Sequence, residues 1–347
     1  MNEKIFLNKL LSITPFICAL MVIGIHSYNA GSFKQLGLTA RIEGSLSHGL
    51  FTAAVPIFFF LSGYLFFRNA ESEKIVFEKQ KRRVKSLVIP FLSWSAFYYL
   101  FYAFATKINP GLNTVVDISV GGAIKGIIFY KHVFPMWFMF QLIIYTFLAP
   151  ITFAVLKNRK ITIVLFLIVA ILGVAGIEFK IAVDSTERII FAANYFSYYF
   201  LGCIAAKEKD NFLSTIARLS KMNTYLLCGI LFAFSILEGL TFDVFTGFNN
   251  RIFIPVVAFF VFILLVKISE KLQDTAKPLI SKVPTMVVYG LHPFIGTVIS
   301  RVLQKLHFQG LVQYITSFVL CATITCCLAL LLQKNKLLNI LFNGDRM

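Results

Sequence analysis

The sequence predicts an all-α integral membrane protein of about ten transmembrane helices, and three observations predict it. Hydrophobic residues make up 58% of the chain against 14% charged, and the mean hydropathy is +0.79, far from the values of water-soluble domains. The apolar residues are gathered into runs of roughly 17 to 25, the length that crosses a bilayer core as a helix. Basic residues are also shared unevenly between alternate connections, as they are in chains that cross a membrane repeatedly.

Taken in order, the first run covers 10–28 and contains Pro15, which is expected to kink or restart the helix because proline has no N–H to donate. The second, 46–67, holds the phenylalanine-rich segment FFFLSGYLF (Phe58 to Phe66). The third, 86–106, comes after the basic run KRRVKSLVIP (Lys81 to Pro90). Then come 134–155, 161–177, 189–206, 223–240 and 251–267; the pair 161–177 and 251–267 is short enough to tilt little or sit partly buried. The ninth, 283–304, has His292 and Pro293 near its middle, and 311–332 completes the set.

With the N-terminus inside, 23 of the 33 Lys and Arg fall on cytoplasmic connections and 10 on the opposite face. The positive-inside rule then places both termini in the cytoplasm. Topology accounts for most of the net charge of +17, so no nucleic-acid partner is implied. The longest connections, about 107–133 and 68–85, are too short to fold alone, and residues 1–347 read as a single membrane domain without a cleavable signal peptide. The six cysteines show neither CxxC nor His/Cys ligand spacing, so neither a disulfide framework nor a metal site is expected. There is no GxxxxGK[ST] phosphate loop and no GxSxG elbow.

Against that apolar background His26 stands out. An imidazole within a membrane span is paired or lines a water-filled cavity, which makes it a candidate site residue; a hydrogen bond to a neighbouring helix is the plain alternative. Arg82, Arg83 and Lys85 form the densest basic cluster, suited to phosphate or anionic headgroups as well as to topology. On a regular helix Arg82 and Lys85 share a face while Arg83 and Lys85 point apart. His292, next to Pro293, belongs to a segment whose freed backbone often marks a cavity. His48 reads as interfacial and His132 and His307 as loop residues, while Glu43, Glu178, Asp184, Glu187, Glu238 and Asp243 fall on or near the outer face.

Six pieces in this order resemble the acyltransferase 3 family of bacterial membrane O-acyltransferases: ICALMVIGIHS (Ile17 to Ser27), FFFLSGYLF, the basic run before Pro90, MWFMFQLIIYTFLAP (Met136 to Pro150), YFLGC (Tyr199 to Cys203) and YGLHPF (Tyr289 to Phe294). The resemblance spans nearly the whole chain. It implies a ten-helix domain in the bacterial plasma (inner) membrane that moves an acyl group, usually acetyl, from cytoplasmic acyl-CoA to a hydroxyl of a cell-surface polysaccharide or its lipid-linked precursor, without a metal. It further implies that His26 is catalytic and that Arg83-Val84-Lys85 corresponds to an Arg-x-Arg pair. The basic cluster itself suits the donor: an acyl-CoA with its phosphates on Arg82, Arg83 and Lys85 would extend its thin pantetheine arm toward His26. Tyr28 and Asn29, within a turn of His26, are candidates for the acceptor side with His292. Two departures stand out: Lys85 lacks the bidentate fork of arginine, and Pro15 occupies a position where many relatives carry Arg. The rival reading is a multi-span exporter or carrier of a glycan or lipid-linked intermediate, for which matching broken helices in two halves would speak; no such symmetry is seen in the sequence.

Overall fold

The computed structural model describes residues 3–28, 37–108, 116–183, 186–241, 248–271 and 282–344. Helix dominates them, as the apolar runs require, because a chain in hydrocarbon must satisfy its own N–H and C=O groups. Among the described residues five stretches are long and apolar enough to cross a membrane: Leu38–Phe67, Glu73–Ile108, Arg251–Lys271, Thr285–Lys305 and Gly310–Leu332. Two bent pairs, Phe134–Phe147 with Ala149–Leu156 at 57° and Lys209–Leu219 with Thr224–Leu237 at 96°, raise the number to seven if each crosses as one.

The first helix, α1 (Glu3–His26), continues through Pro15, so the expected restart there does not occur. After α2 (Leu38–Gly44) the chain widens into a π-helical turn over Ser45–Leu50, tightens into a 3-10 turn at Phe51–Ala53, and runs on as α3 (Ala54–Phe67). A single helix α4 (Glu73–Ile108) carries the whole basic run and continues past Pro90. Its start is tied back to α3, where the Lys79 ammonium donates to the Phe66 carbonyl at 3.0 Å and to the Arg68 carbonyl. Cations stabilise helix C-termini in this way because the last carbonyls have no partner within the helix.

Beyond α5 (Val120–Ile128) and a 3-10 turn at Phe134–Met136, the expected span 134–155 is two helices, α6 (Trp137–Phe147) and α7 (Ala149–Leu156). The break falls at Leu148, two residues before Pro150, which cannot donate into the preceding turn. Helix α8 (Arg159–Ala175) ends on Gly176 at φ 77°, the left-handed geometry that glycine adopts without strain.

The expected span 189–206 is corrected by the structure. Its first residues belong to an antiparallel hairpin of β1 (Glu178–Val183) and β2 (Thr186–Ala192), and only then does α9 (Ala193–Lys207) begin. The buried Gln141 side chain of α6 explains the switch. Its amide donates to the Ile189 and Ile190 carbonyls at 3.0 and 2.9 Å and accepts from the Ala192 N–H at 3.1 Å, satisfying strand groups at the junction with the bundle.

Amphipathic α10 (Lys209–Leu219) turns sharply into α11 (Thr224–Thr241). The bend is held by Lys267 of α12 (Phe248–Lys271), whose ammonium donates to the Ser220 and Met222 carbonyls at 2.7 and 2.5 Å. The chain closes with α13 (Thr285–Lys305), α14 (Gly310–Leu332) and the short α15 (Lys336–Asn343), whose Phe342 carbonyl accepts from the Trp94 indole at 3.1 Å.

Helices α3 and α9 pack very closely, and two glycines allow it. A Cβ at Gly63 would strike the Tyr199 carbonyl, and a Cβ at Gly202 would strike the Phe60 carbonyl, so each helix presents a bare backbone to the other. Beside this seam Phe59 packs on Phe138, Tyr145 and Tyr195 at ring separations of 4.7, 5.5 and 5.4 Å. That aromatic core fixes α3, α6 and α9 as a block against which α1 and α13 are set.

Candidate functional site

The site grows from the C-terminal end of α1. His26 is the last residue of that helix; it is exposed, and its ring faces that of His292 on α13. Two residues before it, the Gly24 carbonyl accepts from the Ser47 hydroxyl and the Tyr314 hydroxyl, both at 3.2 Å, and these two hydroxyls lie 3.0 Å apart. A free carbonyl is expected there, since the last four of a helix have no internal partner. Side chains from the π turn and from α14 thus pin the end of α1. The fully buried Glu43 lies one turn before Ser47 and close enough to Tyr314 to act on it electrostatically.

The π turn also delivers His48. An i→i+5 turn adds one residue to the helix and rotates the residues beyond it, which is why such turns recur where a side chain has to be aimed. Here the His48 ring meets Tyr28 edge-on at 4.9 Å and stands close enough to His26 for their charges to interact.

Helix α13 supplies the opposite wall. Pro293 has no N–H, so the Tyr289 carbonyl that it would have bonded is left free. His292 takes it: Nδ1 lies 2.6 Å from that oxygen. A hydroxyl from α4 mends the next rung, because Tyr98 donates to the Gly290 carbonyl at 2.9 Å and accepts from the Phe294 N–H at 3.1 Å. The Tyr289 hydroxyl in turn donates to the Pro135 carbonyl. The result is a local opening in α13 with His292 fixed at its centre, its ring 5.0 Å from that of His26 and 5.6 Å from that of Tyr289. His292 Nε2 is buried and has no hydrogen-bond partner among the described residues.

The structure therefore brings His26, Tyr28 and His292 together, with His48 beside them, while Asn29 lies outside the described residues. The basic cluster is elsewhere and is divided. Because α4 is regular, Arg82 and Lys85 are exposed, whereas Arg83 turns inward and its guanidinium donates to the Ser62 hydroxyl at 3.4 Å, near Tyr199. Ser62 and His48 lie on one continuous helical stretch, Leu38–Phe67, 14 residues apart, which is about 21 Å at about 1.5 Å per residue. Histidines and inward-facing arginine occupy opposite parts of the same bundle.

Pro293 signalled the opening in α13 from the sequence, but Tyr98, Ser47 and Tyr314 had no signal, since each acts by meeting a carbonyl of a helix distant in sequence. The contact of His48 was hidden for the same reason. Among the described residues no group of three His, Cys, Asp or Glu side chains is placed to hold a metal ion.

Long apolar helices with His26, His48 and His292 brought together between them define the class, a multi-pass helical membrane protein. The family model of the acyltransferase domain that defines the acyltransferase 3 family matches residues 16–334, and the chain belongs to that family. It is a membrane acyltransferase. No curated protein and no solved structure matches it.

Proposed function

We propose that this acyltransferase moves an acetyl group from cytoplasmic acetyl-CoA to a hydroxyl of a cell-surface polysaccharide or its lipid-linked precursor, in the plasma membrane of a bacterium. The observation that carries the reading is His26, an accessible imidazole at the end of a membrane helix, facing a second imidazole inside the bundle. A sugar hydroxyl is a weak nucleophile, and a neutral imidazole that takes its proton during attack contributes roughly 10² to 10⁴ in rate. The acceptor oxygen bonds to the thioester carbon, its proton passes to His26, the C–S bond breaks, and the departing thiolate receives the proton.

Arg83, together with the exposed Arg82 and Lys85, receives the donor's phosphates at the cytoplasmic end. The inward turn of Arg83 toward Ser62 directs a bound donor into the bundle and toward the histidines, about 21 Å away along Leu38–Phe67 at about 1.5 Å per residue. Tyr28 stands on the acceptor side, with His292 facing His26.

The test compares envelope glycans from cells carrying the intact protein, the His26→Ala variant at matched protein level, or no protein. Base-labile acyl esters are scored by mass spectrometry. The expected outcome is an ester present only with the intact protein, its mass identifying the acyl group. Equal esters in all three, with glycan export altered instead, would support the carrier.

A further inference from the structure

A histidine that works as a base through one ring nitrogen carries its hydrogen on the other, and that N–H needs an acceptor to hold the ring in one tautomer and one orientation. His292 is built to be such an acceptor. A carbonyl oxygen can only accept, so the 2.6 Å contact with Tyr289 places the hydrogen of neutral His292 on Nδ1 and a bare lone pair on Nε2. The tautomer is set by the sequence, since Pro293 is what frees the Tyr289 carbonyl, and Tyr98 holds the opened rung in place. Nε2 is buried with no hydrogen-bond partner among the described residues, in a setting where buried polar atoms are as a rule partnered. The neighbouring ring is His26 at 5.0 Å, exposed and terminal in its helix.

We propose that His292 is the positioning residue of His26: its Nε2 accepts the His26 ring N–H, which fixes the His26 tautomer and leaves the opposite nitrogen bare for the acceptor's proton. The assignment of that proton rests on the acyl-transfer reading above, whereas the tautomer chain from the Tyr289 carbonyl through His292 to His26 does not. His292 exchanges no proton. When His26 becomes imidazolium the hydrogen bond between the rings becomes charge-assisted and shortens, stabilising the charged form as the hydroxyl attacks. The two rings share no hydrogen bond in this structure, and such contacts tighten when substrate closes the site.

The test uses the full-length protein in lipid vesicles with nitrogen-15 histidine, whose five imidazoles are assigned by single His→Gln variants. The expected spectrum has neutral His292 protonated at Nδ1. His292→Gln, which offers an amide oxygen near the place of Nε2, is expected to shift the His26 pair. Pro293→Ala returns a backbone N–H to the Tyr289 carbonyl while keeping every side chain of the site, and is expected to mix the tautomers of His292 and then of His26. Acetyl transfer in membranes runs in the same order: His292→Leu lowers kcat on the order of 10²-fold with the KM for acetyl-CoA unchanged, and His292→Gln recovers part of the loss. His292 protonated at Nε2 in the intact protein, or His26 signals that ignore both Pro293→Ala and His292→Gln, would overturn the proposal. Coupled tautomers in a protein that makes no ester would instead overturn the acyl-transfer reading and leave the positioning intact.

Discussion

Tyr98 shows how much one hydroxyl can carry in this bundle. It replaces the rung between the Gly290 carbonyl and the Phe294 N–H, two backbone groups that the opened turn of α13 leaves without each other. Tyr98→Phe removes the oxygen and keeps the ring, so the expected cost is about 1–3 kcal/mol for the stranded backbone groups. Thermal unfolding in detergent should show a lowered midpoint, and an unchanged midpoint would mean that the rung re-forms within α13. His26 was legible at this scale, because an ionisable residue in an apolar run is visible without a structure. Its partners were not. Nothing in the sequence near His48 or Tyr314 announces that the first meets Tyr28 and the second bonds Gly24. The basic cluster was half legible: helical spacing alone separates Arg83 from Lys85, but the inward direction of Arg83 depends on where α3 lies.

At the scale of elements, the α3–α9 seam and the hairpin junction make opposite demands. The seam requires that nothing project from Gly63 and Gly202, so Gly63→Val is expected to separate the two helices and lower the yield of folded protein in membranes. Size-exclusion profiles of detergent extracts would show this directly, and a normal profile would mean that the helices slide to make room. The hairpin junction requires a polar side chain. Gln141→Leu leaves the Ile189 and Ile190 carbonyls and the Ala192 N–H without their partner, and protease cleavage within 178–192 is expected to accelerate while the membrane helices stay protected. Sequence periodicity missed the hairpin because Arg188 to Ala192 runs without a break into the apolar helix after it, and a short apolar run does not declare its type. It likewise joined α6 and α7 into one span, since the composition is continuous across the bend.

For the molecule as a whole, the uneven distribution of basic residues predicts that both termini face the cytoplasm. Reporter fusions at residue 347 and in the 107–133 connection are expected to be active on opposite sides of the membrane, the first inside and the second outside. The same side for both would remove the directional argument that sets Arg83 at the donor end and His26 at the acceptor end. The arrangement along Leu38–Phe67, with His48 about a third of the way along and Ser62 near the far end, keeps the two chemical environments apart within one continuous helical stretch.

The medium and the material are properties of the chain read residue by residue: apolar runs of bilayer length, a helical backbone, a basic face, His26 as an ionisable exception and Pro293 as a break in hydrogen bonding. All are local, set by composition and by the geometry of a single helix. Which side chain mends each broken rung, which ring faces His26, and the inward direction of Arg83 belong to the packed bundle instead. Each of those is a contact between helices distant in sequence, and side-chain periodicity sets the face of a helix without naming the neighbour that the face will meet.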